Sequence, residues 1–502
     1  MKNITIDGKS LSLQQIAQVA YDYEGAVKVV LSAAAKKNIT RTRQFIEKKA
    51  TQDKPIYGVN TGFGSLSDVR IPKNRLDELQ VNLLRSHAAG VGRPLKTSEV
   101  RASILLRANT LASGVSGVSI ELIEALLELL NRGVHPYIPE QGSVGACGDL
   151  APLAHLALTL IGEGRAYYRG ELLPSSFALK NAKLKPYKIK AKEGLSLING
   201  TQIMTAIGVL AFLKAEALGF MANLAGAMTV EALAGSAKPF DQRIHAVRPH
   251  RGQRHVAGEM RRYLKNSAIM KSHANCSRVQ DPYSVRCIPQ VHGICLETIE
   301  RTREVLEIEV NSVTDNPLVF LDTGEILSGG NFHGEYVGMA MDHLSIAIAE
   351  LANISEQRLQ KMINPGFSGL PAYLIEDGGV NSGFMIVQCV AASLVSENKV
   401  LSHPAVVDSI PTSVDKEDHV SMGTIAARKA RQIIDNTWNV IAIEFLAAAQ
   451  ALEFRKPLQP AVLVAEAMKR IRTKVPMAKA DRIFHDDINA VSALMLKGEL
   501  LL

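Results

Sequence analysis

Paired cysteines are the first thing this sequence lacks. Its 502 residues hold five cysteines, Cys147, Cys276, Cys287, Cys295 and Cys389, with no CxxC spacing among them. An odd count without pairs excludes a zinc ribbon and a disulfide-stapled scaffold, and it predicts a reducing, cytoplasmic setting. Aromatic residues make up 5% of the chain, with one tryptophan. Alanine, leucine, isoleucine, glutamate and lysine dominate instead, so helix is favoured by propensity. Long uncharged apolar runs are missing too. The most apolar stretch, "MTAIGVLAFLKAEALGFMANLAGAMTVEALAG", is interrupted by Lys214, Glu216 and Glu231. It is expected to form helices buried on most sides of a bundle in a soluble protein rather than a membrane span. The N-terminus, "MKNITIDGKSLSLQQIAQVA", has no apolar core or small-residue cleavage site and is not expected to act as a secretory signal. The net charge of +8 is spread along the chain, and short basic runs such as "EMRRYLKN" are expected to be solvated helix faces. No nucleic-acid or membrane partner is expected.

What is present is helical periodicity broken by glycine-rich loops. "ELIEALLELLNRGVHPYIP" reads as a leucine-rich helix with Gly133 at its C-terminal end and Pro136 and Pro139 beyond it. In "YVGMAMDHLSIAIAEL", Val337, Met341, Leu344, Ile348 and Leu351 recur at steps of four and three, the spacing of one buried helical face. "VNSGFMIVQCVAASLVSENKVLSH" reads as a second such helix, ended by Pro404. The expected fold is mainly α, with a loop-rich helical N-terminal domain over residues 1–195 and a long-helix bundle with the C-terminal region over 196–502. "KIKAKEGLSLINGTQ" would connect them. Six loop-like segments interrupt the helices: "YGVNTGFG" at 57, "GSVGACGDLAP" at 142, "NGTQ" at 199, "QDPYSVRC" at 280, "SGGNFHGE" at 328 and "VDKEDHVSM" at 414. Loops on a rigid scaffold are where chemistry is usually placed.

The segment at 142 carries the most specific signal. Gly142, Gly145, Ala146 and Gly148 leave the backbone around Cys147 unhindered. Asp149 followed by Pro152 reads as an N-cap opening a helix whose positive end lies near the cysteine. Three readings of Cys147 follow. It is a small buried hydrophobe, or a thiolate nucleophile with His155 as its base, although His155 would lie about 9 Å further along the same helix. In the third reading the Gly148 nitrogen attacks the Ala146 carbonyl carbon. Loss of water and of the sulfur then leaves a five-membered ring bearing an exocyclic methylene. Glycine offers the least hindered nitrogen, alanine an approachable carbonyl, and cysteine a competent leaving group.

"GSVGACGDLAPLAHLAL" resembles the prosthetic-group segment of the aromatic amino acid ammonia-lyases, which form 4-methylidene-imidazol-5-one (MIO) autocatalytically from Ala-Ser-Gly. The resemblance continues in order through "YGVNTGFGSL", "LLRSHAAGVGRPL", "KEGLSLINGTQ", "VQDPYSVRCIPQVHG", "TDNPLVF", "SGGNFHGE", "GGVNSGFMI", "LSHPAVVDSIPTS" and "EDHVSM", nearly the whole chain. It departs from the family in placing cysteine where serine is usual, and "VDK" where Asn-Gln usually precedes Glu417. The resemblance implies a helical fold of the fumarase and aspartase type and a homotetramer whose active sites are shared between subunits. It implies no external cofactor, the ring coming from Ala146, Cys147 and Gly148. Tyr57 would be the base that removes the β-proton of an amino acid substrate, and Tyr283 would lie beside the ring. Asp149, Asn199 and Phe332 would support it, while Arg286 and Gln280 would bind substrate, Arg286 gripping its carboxylate.

Substrate choice would rest on two positions. His87 matches the residue that separates imidazole and phenol substrates from phenylalanine. Glu417 matches a glutamate of the histidine-specific branch; a phenyl ring would leave that carboxylate unpaired at roughly 1–3 kcal/mol. Together they favour L-histidine, eliminated to trans-urocanate at the start of histidine degradation. A tyrosine or phenylalanine lyase or aminomutase on the same scaffold is the alternative, as is a non-catalytic paralogue that keeps the Cys147 thiol. A metal site from His87, His333, His419 and Glu417 lacks any HxxH, HExxH or CxxC spacing, so no metal is expected.

Overall fold

The computed structural model describes residues 2–50, 55–274 and 278–502; Cys276 lies outside them. The chain divides into two compact units: Met1–Leu210 with Arg303–Asp342 and Pro404–Arg428, and Ala211–Thr302 with His343–His403 and Lys429–Leu502. Residue 195, where loop composition suggested a boundary, lies inside the first unit. Four of the five divisions fall within long helices, Gln202–Ala232, Ile288–Glu309, Glu335–Ile363 and Gly423–Glu453, and the fifth falls between His403 and Pro404. A regular helix gives no compositional mark where one unit ends, which is why no boundary shows in the sequence there.

The mainly helical expectation holds, and the periodic stripe behaves as its spacing requires. Val337, Met341, Leu344, Ile348 and Leu351 are all fully buried on the helix Glu335–Ile363. Each such side chain contributes about 2 kcal/mol by leaving water, before ordering costs. "VNSGFMIVQCVAASLVSENKVLSH" supplies the helix Met385–Leu401, which stops before Pro404. The helix Ile120–Asn131 is followed by Gly133 at φ +68°, the left-handed residue that closes a helix C-terminus. Pro136 and Pro139 then lie in short strands, Val134–Pro136 and Pro139–Gln141.

Those strands belong to small sheets that periodicity did not reveal. Lys2–Ile6 pairs in parallel with Val27–Leu31, and Val134–Pro136, Arg165–Tyr168 and Glu171–Pro174 form an antiparallel trio. The most apolar stretch is one continuous helix of 31 residues, Gln202–Ala232, rather than several. It is long and apolar enough to cross a membrane by length and composition, yet 72% of its most apolar window is buried inside the protein.

In the first unit the helix Thr97–Ala112 is buried on every face and carries two arginines inward. Arg107 is fully buried, and burial pushes its guanidinium down to about 10. It donates to the Asn199 carbonyl and to Gln202 Oε1, both at 2.7 Å. The "NGTQ" loop is therefore fixed from beneath. The preceding "KEGL" is a second anchor rather than a solvated connection. Lys192 Nζ reaches Asp315 Oδ2 at 3.0 Å, with both side chains fully buried. Glu193 accepts from Ser119 Oγ (2.7 Å), Tyr187 OH (2.9 Å) and the Lys190 amide (2.9 Å).

Candidate active site

Residues 142–149 enter the short helix Leu150–Leu160 through two left-handed glycines, Gly145 at φ +74° and Gly148 at φ +69°. Gly148 pairs as a parallel bridge with Gly200, and a Cβ on Gly148 would run into the Gly200 carbonyl. Backbone conformation and packing thus both demand glycine at the position whose nitrogen would close the ring. The loop is held from three sides. The Asp149 amide donates to the Gly200 carbonyl at 2.7 Å, the Met422 amide to Val144 O at 2.8 Å, and the Gly334 amide to Gly145 O at 3.1 Å. Three distant loop motifs, at 199, 328 and 414, therefore converge on the one at 142.

Asp149 occupies the N-cap position of Leu150–Leu160, as expected, but its carboxylate does not cap that helix. It is fully buried and turns to other donors. Oδ2 accepts the first-turn amides of Ile203 and Met204, each at 2.9 Å, so it caps the helix Gln202–Ala232 instead. Oδ1 accepts from Ser143 Oγ at 2.9 Å and from Thr424 Oγ1. Burial still raises the Asp149 pKa above the ordinary range, the four donors opposing it. Ser143 and Thr424 were not singled out from sequence, although each sits at the edge of a recognised motif.

Cys147 is half-buried, and its Sγ–H donates to Glu417 Oε1 at 2.9 Å. Thr412 Oγ1 holds the other oxygen of Glu417 at 2.6 Å. Burial, and secondarily Glu417, pushes the Cys147 thiol far up. The activated-thiolate reading is thereby overturned. Its proposed base is also engaged elsewhere, because His155 Nε2 accepts the Gly90 amide at 3.1 Å. Asn199 Nδ2 donates to the Cys147 carbonyl at 3.3 Å, while Asn199 Oδ1 is buried without a partner.

Tyr57 and His87 complete the group around Glu417. Burial raises the Tyr57 phenol; Cys147 and Glu417 add to the rise, and a backbone hydrogen bond from Gly64 opposes it. Within the first unit the nearby Glu417 charge therefore disfavours phenolate at Tyr57. His87 ends the helix Leu76–His87, with Nδ1 3.0 Å from Ser86 Oγ. Burial lowers its pKa, opposed by a backbone hydrogen bond with Leu83 and by Glu417. Phe332 is half-buried, two residues before the Gly334 amide that is pinned to Gly145.

The "QDPYSVRC" residues belong to the second unit. Gln280 is exposed and Tyr283 is 70% exposed, with the Arg286 guanidinium 4.6 Å from the Tyr283 ring centroid. Arg286 Nε is buried without a partner. His333 and His419 stack with centroids 5.6 Å apart, and His333 Nε2 lies 3.2 Å from the His419 carbonyl. Glu335 joins them, so that one potential ligand atom from each residue lies within 4.8 Å of the others. His333 and His419 were among the metal candidates named from sequence, with no spacing motif to link them; Glu335 was not, and the fold brings the three together.

The tripeptide thus has a glycine nitrogen on its C-terminal side, an amide donor on its central carbonyl and a carboxylate on its cysteine sulfur. A family model described as aromatic amino acid lyase matches residues 11–473. The chain belongs to the aromatic amino acid lyase family. It is 53% identical to the histidine ammonia-lyase of Myxococcus xanthus over 498 residues, covering 99% of this chain and 97% of the relative. Among solved structures it is similar to the histidine ammonia-lyase of Trypanosoma cruzi, with a TM-score of 0.92 and 42% identity over 99% of this chain and 94% of that one. It is also similar to the tyrosine aminomutase of Streptomyces globisporus, with a TM-score of 0.92 and 37% identity over 99% and 98% of the two chains.

Proposed function

We propose that this chain eliminates ammonia from L-histidine to give trans-urocanate, with MIO formed from Ala146, Cys147 and Gly148 and no external cofactor. The observation that carries this reading is the Glu417 carboxylate held against Cys147, with His87 near enough to feel its charge. A carboxylate there can accept an imidazole N–H from the substrate, whereas a phenyl or phenol ring would leave it without that donor. The names and identities of the relatives support histidine over tyrosine, since the similarity to histidine ammonia-lyases is the higher.

The residues present suit the prosthetic group. Asn199 donates to the Cys147 carbonyl, the oxygen that remains on the ring, and its own buried Oδ1 has no partner among the described residues. The group would supply an electron sink that makes ammonia a feasible leaving group. Tyr57 would take the β-proton. Arg286 would grip the substrate carboxylate. Tyr283 would stand beside the reacting carbon, with Gln280 on the substrate and Phe332 against the tripeptide. The exposure of Tyr283 and Gln280 supports a homotetramer in which one subunit's "QDPYSVRC" segment completes a site on another. Cytoplasmic residence, without nucleic-acid or membrane partners, is part of the same reading.

Incubation with L-histidine alone should raise near-ultraviolet absorbance as urocanate accumulates. Products of tyrosine or phenylalanine in its place, or no product from protein of unmodified mass, would overturn the assignment.

A further inference from the structure

We infer that Glu417 is a positioning residue for maturation of the prosthetic group, holding Cys147 as the departing thiol, a role separate from any contact with substrate. The inference rests on the proposed conversion of Cys147. In that conversion the Gly148 nitrogen bonds to the Ala146 carbonyl carbon, and the Ala146 oxygen leaves as water with the amide protons of Cys147 and Gly148. The Cys147 Cα then gives up its proton, and the electrons of that bond form the Cα–Cβ double bond. The Cβ–Sγ bond breaks with its pair on sulfur, which departs as hydrosulfide and takes up the equivalent of the released Cα proton to become hydrogen sulfide. Sulfur that had already lost its proton would have to leave as a dianion, so only the protonated thiol is a competent leaving group.

Three observations direct this role to Glu417. Its Oε1 is 2.9 Å from Cys147 Sγ, close enough to accept the thiol proton in a hydrogen bond and to fix the direction of the Cβ–Sγ bond. Its Oε2 is held by Thr412 Oγ1 at 2.6 Å, so the carboxylate is itself restrained. The Thr412 and Glu417 backbones are also bonded to each other, in both directions, at 2.9 and 3.2 Å. The segment that carries Glu417 is thus closed on itself and presents the carboxylate to one sulfur. Burial of the thiol and the nearby negative charge act together to keep the proton on sulfur.

The test follows the intact mass of freshly made full-length protein over time. Wild type should lose about 52 Da, the mass of one water and one hydrogen sulfide. Glu417→Gln keeps an oxygen acceptor and should mature within a few-fold of the wild-type rate. Glu417→Asp keeps the charge but withdraws it by one methylene, and Glu417→Ala removes the acceptor. Both should mature roughly ten- to a hundredfold more slowly, the cost of leaving the buried thiol donor without its acceptor. Unconverted Cys147 in these two variants should be alkylated by iodoacetamide faster than unconverted wild type. Should the alanine variant fail to fold, the aspartate and glutamine variants decide. Maturation of Glu417→Asp at the wild-type rate overturns the inference, as does a glutamine variant as slow as aspartate. A wild-type protein that keeps its full mass overturns the conversion itself, which is a different failure.

Discussion

Replacing Asp149 by alanine should destabilise the protein by about 2–5 kcal/mol, through the helix it caps rather than the one it precedes. The carboxylate is fully buried and accepts four hydrogen bonds, two from the amides of Ile203 and Met204 and two from Ser143 and Thr424. Alanine leaves both amides without an acceptor at the buried start of Gln202–Ala232, at about 1–3 kcal/mol each, with a lost N-cap ordinarily costing about 1 kcal/mol. The hydroxyls lose less, because Ser143 Oγ also reaches the Gly148 carbonyl at 3.3 Å. Against these losses, a buried carboxylate that resists ionisation no longer has to be desolvated. Asparagine keeps one acceptor oxygen and should cost about half as much. Equilibrium urea unfolding at fixed protein concentration measures this, with intact mass reporting ring formation in the same samples. An alanine variant within about 0.5 kcal/mol of wild type would refute the reasoning.

Removing one partner of the Lys192–Asp315 pair, by Asp315→Ala, should cost about 3–5 kcal/mol, whereas Lys192→Met with Asp315→Leu should recover much of it; a double-mutant cycle by urea unfolding separates the two. Burial, with Arg101 at 3.2 Å, holds His135 down to about 4. Between about pH 6.5, the unfolded value, and pH 4 the unfolded chain therefore binds more protons than the native one. Stability should rise with pH through that window, by about 3 kcal/mol in all. His135→Gln should flatten the pH profile of the unfolding midpoint, and an unchanged profile would remove His135 as its cause.

Much of the fold was legible because its cues are local. The stripe from Val337 to Leu351, the stop at Gly133 and the helix ended before Pro404 each follow from side chains within one or two turns. The length of Gln202–Ala232 was not legible, because Lys214 and Glu216 looked like interruptions. Lys214 instead reaches Asp435 at 2.6 Å and lies 4.9 Å from the Trp438 ring centroid, so the charge is accommodated without breaking the helix. The tripeptide, Asn199 and Glu417 could be read from motifs. Their mutual distances could not, and neither could the anchors beneath them. Lys192 and Glu193 read as part of a connection until Asp315 and Ser119, 123 and 74 positions away, are folded against them. Asp149 shows the same limit: its position before a helix is local information, while the donors that claim its carboxylate come from Ser143, Ile203, Met204 and Thr424.

The most direct measurement is tandem mass spectrometry of the peptide spanning residues 142–165, taken from protein that is converting L-histidine. The account predicts a mass about 52 Da below that encoded, with the deficit confined to residues 146–148. A full-mass peptide with an alkylatable Cys147, in protein that nonetheless releases ammonia from histidine, would contradict it.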